Sequence, residues 1–140
     1  MIEQRIFSCD PGETTGVAMY NPYSNPNMWT DECKSFSEVI TLCIDFKPDV
    51  IVIERFATSG RISKYGLHTT ELVGGLQALS IAFGWDFVRQ SPQSRRSFLP
   101  DAKEHNAPSL HGRNTYKGRH EADALSHLLE YMWKKENGRE

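Results

Sequence analysis

Arg5-Ile6-Phe7-Ser8-Cys9-Asp10-Pro11-Gly12-Glu13-Thr14-Thr15-Gly16-Val17-Ala18-Met19-Tyr20 is the stretch that decides the fold. An apolar run begins at Ile6 and stops at an acid, Asp10. Pro11-Gly12 forces a turn, and a β-branched and aromatic run resumes at Thr15. This is the pattern of two strands joined by a tight connection, about Arg5 to Cys9 and Thr15 to Tyr20. Asp10 then lies where the first strand ends. An acid closing an apolar strand is costly to bury alone, so it either pairs with a cation or binds one. Gly12 and Gly16 let a backbone or an anion approach beside it. On its own the motif reads equally well as a turn-initiating Asp before Pro-Gly, and the rest of the chain decides.

Working outward, Asn21 to Asn27 is turn-rich, and Met28 to Cys33 returns as a third, antiparallel strand. Ser35-Phe36-Ser37-Glu38 fits a capping box, with Ser35 as N-cap. Phe36, Val39, Ile40, Cys43 and Phe46 follow at helical spacing until Lys47-Pro48. Val50-Ile51-Val52-Ile53 is an unbroken β-branched run, the signature of a central parallel strand buried on both faces. It also ends in an acid, Glu54. Parallel strands finish at one edge of a sheet, where ligands bind in open α/β folds. Asp10 and Glu54 are therefore expected as neighbours.

Arg55 to Tyr65 reads as a loop carrying Arg55, Arg61 and Lys64, with Phe56 placed to stack on a base or to plug the core. Leu67 to Phe83 reads as a long helix with a buried face of Leu72, Val73, Leu76 and Leu79, and with Gly74-Gly75 packed close on the sheet. Trp85 to Arg89 is a further parallel strand. Ser91-Pro92 opens a short helix bearing Arg95 and Arg96. Pro100 to Gly118, with Lys103, Arg113 and Lys117, shows little periodicity and reads as a mobile loop. Arg119 to Lys135 is the last helix. Leu125, Leu128, Leu129 and Met132 share one of its faces; His120, Asp123 and His127 share another, because three- and four-residue steps stack. Glu121 points away from Asp123.

With 140 residues and no linker or repeat, the chain is expected to form a single domain over 1–140. No apolar run is long enough to span a membrane, and no signal-peptide pattern opens the sequence. Cys9, Cys33 and Cys43 fit no metal spacing, and their odd number argues for free thiols in a reducing, cytoplasmic setting. The net charge of −2 hides an asymmetry: residues 55–119 hold ten Lys/Arg against four Asp/Glu, leaving six against fourteen for the flanks. That distribution points to a basic surface for a polyanion.

If the last helix crosses the edge where the two strands end, Asp10, Glu54, Asp123 and His120 converge. Three carboxylates so close repel unless cations neutralise them. Hard divalent ions are the natural partners, and two of them about 3.5–4 Å apart can activate a water and hold the leaving oxygen of a phosphodiester. The predicted chemistry is metal-assisted hydrolysis of a nucleic-acid backbone.

The order Asp10-x-Gly12-x-x-x-Gly16, then Val50 to Glu54, then His120-x-x-Asp123-Ala124 resembles the RuvC-type Holliday-junction resolvases over nearly the whole chain. The resemblance implies an α/β, ribonuclease H-like mixed sheet of about five strands, the first three antiparallel, flanked by helices. It implies an endodeoxyribonuclease that resolves four-way DNA junctions by paired nicks in recombination and repair, with two Mg2+ or Mn2+ ions per site. It also implies a homodimer with Leu67 to Phe83 at the interface, acting in a bacterial or phage-infected cytoplasm. Asp10 would bridge the ions, with Glu54 on one and Asp123 and His120 on the other. Arg95, Arg96 and Lys103 are candidates for a basic residue beside the site. The nucleic-acid contacts expected are Arg55, Phe56, Arg61, Lys64, Arg95, Arg96, Lys103, Arg113 and Lys117. Alternatives are a same-fold nuclease for flaps, forks or RNA-containing substrates, and a catalytically silent nucleic-acid-binding module. An actin/hexokinase-like phosphate loop would need two lobes, which 140 residues do not supply.

Overall fold

A computed structural model describes residues 2–12, 14–55, 64–92, 97–105, 107–109 and 119–138. Its centre is a five-stranded sheet built from β1 (Ile6–Asp10), β2 (Thr15–Tyr20), β3 (Met28–Cys33), β4 (Val50–Glu54) and β5 (Asp86–Gln90). The strand order is β3-β2-β1-β4-β5. β1, β2 and β3 run antiparallel as expected, while β4 and β5 join β1 in parallel. β1 extends one residue beyond expectation, since Asp10 is itself in the ladder and pairs with Gly16.

Side chains alternate across a strand, and here the alternation sorts two cores. Ile6, Ala18, Tyr20, Val50 and Val52 pack under α4 (Arg119–Glu136) together with Leu125 and Leu128. Phe7, Cys9, Val17, Met19, Ile51 and Ile53 pack on the opposite side with Val39 and Cys43 of α1 (Phe36–Phe46) and Leu72 and Leu76 of α2 (Lys64–Phe83). Val50 to Ile53 are fully buried because both faces of β4 are covered.

The expected cap of α1 forms with a shift of one partner. The Ser35 hydroxyl accepts from the Glu38 backbone N–H at 3.2 Å, but Glu38 reaches back to the N–H of Lys34 at 3.0 Å. α1 ends at Lys47, whose φ of 53° is left-handed and whose N–H bonds the Cys43 carbonyl.

Two expectations need correction. Gly74-Gly75 does not serve packing on the sheet: a Cβ at Gly75 would come within 2.8 Å of the Phe36 ring, so this glycine admits α1, and Gly74 faces open space. The segment after Pro100 is not uniformly a loop. Leu99–Glu104 forms a short helix, α3, with Ala102 buried against α4. Phe98 beside it packs on Trp133 with ring centroids 6.2 Å apart. Past α3, the Pro108 carbonyl accepts from the Thr30 N–H at 2.9 Å, which ties this segment to the edge strand.

Candidate metal and nucleic-acid site

β1 and β4 are adjacent and parallel, with Cys9 opposite Ile53, so Asp10 and Glu54 end side by side. Both lie in the even-numbered series that faces α4. Their side chains are 15% and 19% exposed, so each is half-sheltered but reachable.

α4 reaches this edge because small groups let it. Asp10 is paired with Gly16, and a Cβ on Gly16 would fall on the carbonyl of His120. The missing side chain is thus the seat of the first turn of α4. One turn further along, the buried Ser8 hydroxyl donates to the Ala124 carbonyl at 2.7 Å and clamps the helix to β1. His120 is brought over Asp10, with Nδ1 3.8 Å from Oδ2. Asp123 follows three residues later and is buried. Glu121 turns the other way, as expected, and its Oε2 accepts from the Thr30 hydroxyl of β3 at 2.8 Å.

Glu54 meets a residue that was not assigned to the site. Its Oε2 lies 3.2 Å from Nε2 of His127, which is completely buried. Gln90, paired with Glu54 across β4 and β5, donates from Nε2 to the His127 carbonyl at 2.9 Å and lies 3.2 Å from Nδ1. Glu130 Oε2 is 3.8 Å from the same Nδ1, and Lys134 Nζ is 2.6 Å from Glu130 Oε1. The signal for this chain is present in the sequence. His120, Asp123, His127, Glu130 and Lys134 recur at alternating three- and four-residue steps, a polar stripe along one helix face.

The donor types fit a divalent cation: carboxylate oxygens from Asp10, Glu54 and Asp123, and an imidazole nitrogen from His120. Among the described residues, however, no three His, Cys, Asp or Glu side chains close round one point. What the structure brings together is Asp10 with His120, and Glu54 with His127. Uncompensated carboxylates repel, which opposes tighter closure.

The basic surface differs in extent from expectation. Among the described residues, Arg55 lines a cleft of about 700 Å³ at the β5 edge together with Arg89, Lys134 and Lys135 and one acid, Asp86. Arg89 stacks its guanidinium 5.6 Å over Phe87, and Lys135 lies 5.7 Å over Tyr131. Two of these cations come from the C-terminal flank, so the surface is not confined to residues 55–119. Lys103 is exposed on α3. Phe56, Arg61, Arg95, Arg96, Arg113 and Lys117 lie outside the described residues, as does the Lys64 side chain. No helix among the described residues is long and apolar enough to cross a membrane.

No protein-family model and no curated protein matches the sequence. Solved structures do match. RuvC of Thermus thermophilus bound to a Holliday junction superposes with a TM-score of 0.67 at 13% identity, over 96% of each chain. The fowlpox virus resolvase bound to Holliday junction DNA gives 0.61 at 14% identity, over 94% of this chain and 98% of that one. The yeast mitochondrial Holliday junction resolvase Ydc2 gives 0.59 at 16% identity, over 93% and 78%. At such identities the likeness is one of architecture, and the chain has the ribonuclease H-like fold of RuvC and other Holliday junction resolvases.

Proposed function

We propose that the protein is a metal-dependent, structure-selective endodeoxyribonuclease that cleaves four-way DNA junctions; the two proteins of like fold, RuvC and the fowlpox virus resolvase, are each seen in complex with Holliday junction DNA as substrate. The observation that carries this reading is that Asp10 and Glu54 follow the paired Cys9 and Ile53 at the ends of adjacent parallel strands, with His120 brought to Asp10 by way of Gly16. Asp10, Glu54, Asp123 and His120 are the residues that would hold Mg2+ or Mn2+. A divalent cation there would activate water and polarise the scissile phosphate. The protein's own contribution is to fix the donors on rigid elements: two strand ends and a helix clamped by Ser8. The imidazole of His120 suits manganese better than magnesium, so Mn2+ is expected to support cleavage at least as well as Mg2+. Arg55, Arg89, Lys134 and Lys135 would hold backbone phosphates beside the site, with binding that weakens steeply as salt rises.

A catalytically silent nucleic-acid-binding module is favoured by one observation, that no three donors among the described residues close round a point. One assay separates the readings. Four-way junction, flap, duplex and hybrid substrates are incubated side by side with Mg2+, with Mn2+ and with chelator. Metal-dependent cleavage selective for the junction is expected. Asp10→Asn should reduce it to background while junction binding by gel shift persists. Binding without cleavage in wild type leaves the silent module standing, and cleavage by Asp10→Asn places the chemistry elsewhere.

A further inference from the structure

We propose that His127 is a positioning residue that fixes the Glu54 carboxylate at the sheet edge, so that Glu54 is set before a cation arrives. The proposal rests on the metal-site reading above and deepens it.

His127 sits on α4 between Leu125 and Leu128, which are buried in the apolar core beneath the helix. Packing alone would be met there by another aliphatic side chain. Instead, both ring nitrogens are spoken for. Nε2 is 3.2 Å from Glu54 Oε2, and Nδ1 faces Gln90 Nε2 at 3.2 Å and Glu130 Oε2 at 3.8 Å. The ring is fully buried, and Glu130 is nearly so and is anchored by Lys134 at 2.6 Å. Burying polar groups is costly without partners: among the described residues Gln90 Oε1 and the Glu130 oxygens take no hydrogen bond, Glu130 being held by the Lys134 charge, so the ordered contacts are those at the two ring nitrogens of His127. The series of contacts runs from the wall of the basic cleft, at Lys134, to Glu54. A glutamate has three side-chain torsions; a hydrogen bond to one oxygen from a ring that cannot move removes most of that freedom. The groups that orient a ligating side chain typically change metal affinity about 10–100-fold when removed.

The test compares His127→Asn with His127→Gln, both polar and both smaller than the imidazole. The glutamine amide has the length to reach Glu54; the asparagine amide is one methylene short. Mn2+ binding is measured by titration calorimetry on wild type and both variants, alone and in a Glu54→Gln background, with thermal unfolding of each protein recorded alongside. His127→Asn is expected to weaken Mn2+ binding about 10–100-fold, and His127→Gln to recover most of that loss at a matching unfolding temperature. In the Glu54→Gln background the two variants should bind alike. Equal affinity of His127→Asn and wild type overturns the proposal, as does an equal loss in both variants or an undiminished His127→Asn effect without Glu54. Failure of the wild-type protein itself to bind Mn2+ overturns the metal-site reading and this inference together, and is seen before any variant is compared.

Discussion

The two faces of the central strands teach different lessons. Towards α1 and α2, β1 and β4 present Phe7, Cys9, Ile51 and Ile53, which are apolar or thiol side chains, all fully buried. Towards α4 the same strands present Ile6, Val50 and Val52, but also Ser8, Asp10 and Glu54. One residue of register separates the two sets. The first face is what a sheet needs to stay folded. The second gives up apolar contact to place hydroxyl, carboxylate and imidazole groups under a single helix. On the proposed reading the chemistry is confined to the α4 side of the five strands, whereas apolar packing serves both, and substitutions on each side should have separable effects.

The largest loss of stability is expected from the apolar face. Leu76 of α2 is fully buried. Leu76→Ala leaves a cavity in a core that relaxes only partly and should cost about 2–5 kcal/mol in denaturant unfolding. Junction cleavage per folded molecule should be unchanged. Loss of activity greater than the unfolded fraction would show that the faces are not independent.

Gly16 is where the faces' roles meet, because its absent side chain seats α4. Gly16→Ala inserts a methyl group against the His120 backbone, which has no flexible end to move aside. Overpacking of this kind costs about 1–3 kcal/mol. The more telling outcome is in activity: with the first turn of α4 displaced, His120 leaves Asp10, and cleavage should fall towards the level of Asp10→Asn despite a folded protein. A Gly16→Ala variant that cuts normally would mean that the His120 position is unimportant. A milder perturbation of the same face is Thr30→Val, which removes the 2.8 Å donor to Glu121 and should cost about 1 kcal/mol. Because the bond lost is to β3, two strands from the β1 end that carries Asp10, this substitution should spare Mn2+ binding.

Much of this division is legible in the chain itself. The apolar run that stops at Asp10, the unbroken run of Val50 to Ile53 and the acids that close both strands predict the sheet and its candidate edge. What escapes is what depends on a partner. Gly75 reads as a glycine for close packing, but only the fold shows that Phe36 of α1 is the group it admits. α3 carries no helical periodicity over its six residues, since a helix that short has one buried position, Ala102, and takes its stability from α4. His127 is legible as a residue on the His120 face. Its tie to Glu54 requires knowing that α4 crosses the end of β4. The charge count over 55–119 likewise misses Lys134 and Lys135, which reach the cleft by folding rather than by sequence proximity.

A last check on the apolar face concerns the thiols. Burial pushes the Cys33 and Cys43 thiols up to about 12, and Cys9 is raised too, by burial first and then by the neighbouring Asp10 charge. In the unfolded chain a thiol titrates at about 8.5. Between those values the folded protein keeps protons that the unfolded chain has lost, so the unfolded state binds fewer, and stability falls as pH rises. The thiols' contribution is therefore fully present below about pH 8.5 and drains away towards pH 12. At pH 8 none of the three should react readily with a thiol reagent in the native state, and all three should react in denaturant, because the thiolate is the nucleophile. Denaturant midpoints measured across pH 7–11 should decline only above the unfolded thiol value. Rapid native labelling of Cys9 in particular would show that the core beneath Asp10 opens to solvent, and that the two faces share one weak point at the edge where β1 ends.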